Sequence, residues 1–172
     1  MEHNFTNNKD EVMSLIVIYY DYGGTHTSVV AAALHLGNLN PAEVPENKQL
    51  TNLPLFDSIT QNELGHIVYN GTDEYGNNIY TMGIKRAKSL IIPAISDMYK
   101  AVFGNTDGIY LVDVSPATDA FMKIGGFISR FLKMQPLGLP IIIYGTKRAY
   151  PNIVKIVENT KNTVKDFAGI QK

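Results

Sequence analysis

The chain has 172 residues, 45% of them hydrophobic and 18% charged, with a formal net charge of −1. That balance belongs to one globular domain with a real core and gives no bulk electrostatic case for nucleic acid or an acidic membrane surface. The absence of cysteine excludes disulfides, thiolate nucleophiles and cysteine-based zinc sites, and no apolar run approaches the ~18 residues of a membrane span.

Residues 1–14 are polar and lack a signal-peptide core. They read as a flexible leader to a single α/β domain over 15–172, with a cytoplasmic location as the default. Leu15 to Tyr20 is continuously apolar or aromatic, the pattern of a strand buried on both faces. The glycine-rich turn Asp21-Tyr22-Gly23-Gly24-Thr25-His26-Thr27-Ser28 follows. An alanine-rich helix then runs from Val29 to Leu36, stopped by Gly37. Thr25, Thr27 or Ser28 can cap that helix. With the first-turn N–H groups they make a spot that favours an anion, and His26 adds a cation or proton donor. The glycines let a ligand approach the main chain. The turn lacks the Gly-Lys-Ser/Thr of a Walker loop and the third glycine of a dinucleotide fingerprint.

Asn38 to Gly65, with three prolines, predicts short helical turns and extended chain over the surface, pinned by Leu53, Leu55 and Phe56 and placed as a lid over the turn. His66–Asn70 and Asn78–Met82 predict a β-hairpin at an antiparallel sheet edge, with Asp73 and Glu74 as solvated residues at its tip. Pro93 suits a first helical position, and Ala94, Ile95, Met98, Tyr99, Val102 and Phe103 form one helical stripe up to Gly104. Gly108 to Val114 is a second buried strand. Ser115 and Pro116 read as the cap and first residue of the next helix, and Phe121, Met122 and Ile124 as packing residues. At Gly125-Gly126 either two helices meet or a loop approaches a ligand. Leu139 to Tyr144 reads as a third strand, and Pro151 as the opening of the last helix.

Three buried strands, each followed by a helix, predict an α/β fold: a three-layer, mainly parallel sheet with helices on both faces and an antiparallel hairpin at one edge. Ligands of such sheets gather beyond the carboxyl ends of the strands. The loops Asp21–Ser28, Asp113–Thr118 and Gly145–Tyr150 are therefore expected to converge. The candidate ligand-binding set is Tyr22, Gly23, Gly24, Thr25, His26, Thr27, Ser28, Asp113, Ser115, Arg130, Thr146, Lys147, Arg148 and Tyr150. Lys147 and Arg148 read equally well as pocket cations or surface charges, and Arg130 as a partner for Asp113 or Asp119. His35 and His66 read as packing residues.

Tyr22 through Gly37, Leu55-Phe-Asp57, Gly71-Thr-Asp-Glu-Tyr-Gly76, Met122 through Arg130 and Gly145 through Pro151 together resemble the bacterial domain-of-unknown-function family 3189, found in spore-forming Gram-positive bacteria. The resemblance covers nearly all of the chain after residue 14 and implies no assigned activity. More weakly, Asp21 through Ser28 is similar in length and helix entry to the phosphate loop of low-molecular-weight phosphatases. The nucleophilic cysteine and the clamping arginine of that loop are absent, so its cysteinyl-phosphate chemistry does not transfer.

The expected function is a small-molecule binding protein that senses or sequesters a phosphorylated ligand or signalling nucleotide at the turn. No cofactor or metal is expected, nor any nucleic-acid or membrane partner, and the 93–103 stripe offers a homodimer contact. The alternative is a hydrolase, or a phosphoryl or glycosyl transferase, with Asp21 as nucleophile or base and His26 as acid. A third reading is an interaction module built on the hairpin and the 38–65 segment.

Overall fold

A computed structural model describes residues 14–58 and 64–170, with side chains through 166. The leader expected over 1–14 lies outside them except for Ser14. Four strands form one sheet in the order β2-β3-β1-β4. β1 (Ile16–Asp21) lies at its centre, parallel to both β3 (Asn78–Gly83) and β4 (Ile109–Asp113). β2 (Ile67–Thr72) closes one edge antiparallel to β3. The α/β class, the mainly parallel sheet and the edge hairpin are as the sequence predicts. Among the described residues no helix is long and apolar enough to cross a membrane.

The helices divide between the two faces. α1 (Thr27–His35) and α5 (Gln135–Ile170) pack on the face that carries Val17, Tyr19 and Ile79. α3 (Lys88–Phe103) covers Ile18, Tyr20, Met82 and Ile84 on the other, through Ile91, Ile92 and Ile95. α1 is buried along its whole length, which explains its small residues: Ala31, Ala32 and Ala33 let it fit between the sheet and α5. α3 starts at Lys88 and holds Pro93 in its interior, so Pro93 does not open it. Of the predicted stripe, Met98, Val102 and Phe103 are exposed.

The main departure is the predicted third strand. Leu139 to Tyr144 lies inside α5, as does Pro151, which does not open a helix. Buried Ile142, Thr146, Ala149, Ile153, Val157, Thr160 and Val164 recur every three or four residues, a helical face. The cause is tertiary. A short helix α4 (Ala120–Gly126), continued by a π-helical turn at Phe127–Phe131, crosses α5 on glycines. A Cβ at Gly125 would stand 2.7 Å from the backbone N of Ile142, one at Gly138 2.5 Å from that of Ser129, and one at Gly145 2.6 Å from that of Met122. Of the paired glycines, Gly125 therefore serves helix contact, while Gly126 faces the His26 ring; Ile141 to Ile143 are helical because that crossing overrides their β preference. Met122 is buried there, but Phe121 and Ile124 are exposed.

Two further expectations change at the amino end of the parallel strands. Asp73, at the hairpin tip, is buried. Its carboxylate accepts from Asn77 Nδ2 at 3.0 Å and meets His35 Nε2 at 3.1 Å, and His35 Nδ1 accepts from the Tyr19 hydroxyl at 2.7 Å. A carboxylate only accepts, so Nε2 carries the proton and Nδ1 the lone pair. Glu74 is paired with Lys161 at 2.8 Å. At the other end of β2, beside the carboxyl end of β3, His66 is exposed.

Candidate functional site

The carboxyl ends of β1, β3 and β4 share one edge of the sheet, and the chain leaving β1 is shaped by its neighbours there. Gly24 sits at φ +69°, and a Cβ on it would stand 2.5 Å from the backbone N of Gly83. Its glycine is required by backbone-on-backbone packing against β3, with no ligand needed to explain it. Asp21 turns inward and is buried. Its carboxylate accepts from Gly24 N at 2.5 Å and from Ser28 N at 2.9 Å. The first turn of α1 is therefore capped from β1. His26 occupies the N-cap position without a side-chain cap bond; the Thr27 hydroxyl is turned to Thr118, and the Ser28 hydroxyl is unpartnered. Asp21 is held inside the turn with both carboxyl oxygens engaged.

The segment after α2 (Asn47–Thr51) folds over the turn. Thr25 Oγ1 donates to the Leu55 carbonyl at 2.9 Å and accepts from Ser58 N at 3.1 Å, and Asp57 N donates to the Thr25 carbonyl at 3.1 Å. Leu53, Leu55 and Phe56 pack into the core as predicted. These bonds hold Asp57 at φ +50°, a backbone region that few residues other than glycine adopt.

Asp57 is the residue around which the site is built. It is 2% exposed. Its Oδ1 lies 3.1 Å from His26 Nε2 and 3.0 Å from Arg130 Nε. Its Oδ2 accepts from Ser129 Oγ at 2.8 Å and Gln135 Nε2 at 3.0 Å. Burial alone would push this carboxyl up, but the bonds from His26, Gln135 and Ser129 outweigh it and hold it below its ordinary value. Asp57 is thus an anion, and His26 presents a protonated Nε2 to it. The π-helical turn brings Ser129 and Arg130, adjacent in sequence, to the same carboxylate. The His26 ring also stands edge-on to Phe56, with centroids 5.6 Å apart. Arg130 meets Asp57 as an ion pair without hydrogen-bond geometry, and its Nε and Nη2 are buried with no hydrogen-bond partner, as is Ser28 Oγ.

The remaining candidates are dispersed. Thr27 Oγ1 meets Thr118 Oγ1 at 2.9 Å, so the loops after β1 and β4 converge as predicted. Gly145–Tyr150 is no strand end; it lies within α5. Thr146 is buried and bonds back to the Ile142 carbonyl. Tyr150 is buried, with its hydroxyl on the Asn40 carbonyl at 2.8 Å, and burial pushes it up to about 12. Arg148 pairs with Asp119 at 3.3 Å and lies over the Phe121 and Tyr144 rings. Lys147 is partly exposed. Asp113 is paired with Lys88 and accepts from Ser115 N; both that pairing and the Asp57 pairing of Arg130 replace the expected Arg130 contact with Asp113 or Asp119. Tyr22 is exposed, and Gly23 has room for a side chain. Among the described residues no three imidazole or carboxylate groups gather as metal ligands would.

Sequence reasoning missed Asp57, Ser129 and Gln135. The signal that pointed nearest was Leu55-Phe-Asp57, one of the segments that carry the family resemblance. The family model described as a protein of unknown function (DUF3189) matches residues 16–162. No curated protein and no solved structure matches the chain. With the match spanning the whole sheet, α1, the Asp57 segment and the π-helical turn, the chain belongs to the DUF3189 family.

Proposed function

We propose that this chain is a cytoplasmic binding protein that holds a small anionic molecule, phosphorylated in the simplest case, at the carboxyl edge of its sheet. Arg130 carries the charge for it. The turn's Gly24 and Ser28 amides do not, because Asp21 already engages them. The observation that carries the reading is the Arg130 guanidinium. It leaves Nη2 buried and unbonded beside a carboxylate that already takes three other donors. Buried donors without acceptors are costly and rare, and an oxyanion satisfies a guanidinium better than any neutral group. The Ser28 hydroxyl, buried and unpartnered on the first turn of α1, supplies a further donor.

Native mass spectrometry of the full chain purified from cells tests this. An anionic adduct, or a rise in melting temperature with inorganic phosphate or a nucleotide panel, is expected, and Arg130→Gln should remove it. No adduct and no shift with any anion would sink the reading.

A second reading has its own observation. Asp57 holds His26 by Nε2, and His26 Nδ1 has no hydrogen-bond partner among the described residues. A buried carboxylate that fixes the tautomer and leaves the other nitrogen basic is the arrangement of a general base. In that case Asp57, and not Asp21, is the acidic partner, and the reaction is a hydrolysis or a phosphoryl or glycosyl transfer. Turnover of a bound ligand lost in His26→Ala with binding retained would select it.

A further inference from the structure

The net charge of −1 conceals a strong segregation. From Ala120 to Val157 the chain carries six cations and no Asp or Glu, while all 16 acids lie outside that stretch. The same stretch contains an unusual surface. Along the outer side of α4 and the π-helical turn, Phe121, Ile124, Phe127 and Phe131 are exposed, and Leu132 and Leu137 continue the ridge round the corner into α5. These six are between 39% and 66% exposed. Phe127 and Phe131 stack on each other at 4.9 Å in the open. Residues 131–137 are exposed without interruption, so the ridge projects at a corner between helices and does not line a groove. Lys123 and Lys133 flank it and have no ion-pair partner among the described residues, and Arg148 lies over Phe121.

Contiguous exposed apolar surface of this extent marks an interaction site. A projecting apolar ridge with lysines at its sides and no acid within it matches the interfacial pattern, in which apolar side chains enter the acyl boundary and cations meet anionic headgroups. A protein partner would need a complementary cleft; a lipid surface accepts a ridge of any such shape. We propose that the α4–π-turn ridge docks this protein on an anionic lipid surface. The contact is peripheral and does not use Ser129, which is buried against Asp57.

Co-sedimentation of the full chain with phosphatidylcholine vesicles, with and without phosphatidylglycerol, tests the proposal at low and high salt. Binding to the anionic vesicles alone is expected, weakened by salt. The paired variant Phe127→Ser, Phe131→Ser should abolish it with little change in melting temperature, since both rings are exposed. Lys123→Gln and Lys133→Gln should each weaken it about five-fold. No preference for anionic vesicles overturns the proposal. So does a dimer in solution that the paired phenylalanine variant dissociates, which would assign the ridge to a second copy of the chain.

Discussion

His26 and Arg130, 104 positions apart in sequence, meet the same oxygen of Asp57, at 3.1 Å and 3.0 Å. One buried carboxylate thus joins the cap residue of α1 to the π-helical turn. Asp57→Asn keeps the shape, and asparagine tolerates the left-handed backbone at this position. It removes the charge and leaves donors facing donors. A loss of about 3 kcal/mol is expected, in the range for breaking a buried pair, with Asp57→Ala losing at least as much. Urea unfolding measures both, and a loss below ~1 kcal/mol would show that the cluster is not a structural hub.

Asp21 is expected to behave as a cap. Asp21→Asn retains one acceptor oxygen and so can serve only one of the two amides well. It should cost about 1–2 kcal/mol, as loss of a good cap does. Hydrogen exchange at Gly24 and Ser28 should rise in parallel. Retention of both protected amides in that variant would contradict this role.

Gly24 and Gly37 share a left-handed backbone, at φ +69° and +73°, but differ in surroundings. At Gly37 nothing stands within 4 Å of an added Cβ, whereas at Gly24 the Gly83 backbone stands at 2.5 Å. Gly37→Ala should therefore cost about 1–2 kcal/mol, the conformational penalty alone. Gly24→Ala should cost clearly more, with the end of β3 displaced. Equal melting temperatures for the two variants would refute the close packing.

Burial lowers His35 from its ordinary value of 6.5, against the pull of Asp73. The unfolded chain then takes up a proton below about pH 6.5 that the folded chain refuses. Stability should fall as pH drops below that value, down to the lowered value of the folded state. Asp57 and Asp73 are also held below their ordinary 3.8. They contribute stability above that pH and lose it as pH falls through their folded values. Denaturant unfolding between pH 8 and pH 4 should show the histidine limb, and His35→Gln should flatten it; an unchanged slope in that variant would assign the limb to another group.

Local patterns made β1, the turn, α1, the hairpin and β4 readable, because in each the residues that decide the structure are close in sequence. Leu139 to Tyr144 misled for the opposite reason. Its branched residues favour a strand locally, and the groups that make it helical, Gly125 and Met122, belong to another helix. A reading that ran the helical period back from Val164 through Ile153, Thr146 and Ile142 would have found it. The site divides in the same way. His26 announced itself beside the glycines, and the loops of β1 and β4 meet as parallel strands require. Asp57 lies 31 positions from His26 and 72 from Ser129, and no spacing rule links them. Asp21 and Gly24 were singled out for ligand contact, but what they contact is the protein's own backbone.

α1 is gripped at both ends by carboxylates from other elements. Asp21 takes the Ser28 amide at its start, and Asp73 takes the His35 ring at its finish. A slide along its axis would break one grip or the other, and a rotation would pull Tyr19 from His35. The helix is therefore a fixed reference within the molecule. If the proposed anion site is correct, a rearrangement on binding would fall on the partners that share Asp57, the 53–58 segment on one side and the π-helical turn on the other, with α1 as their fixed support.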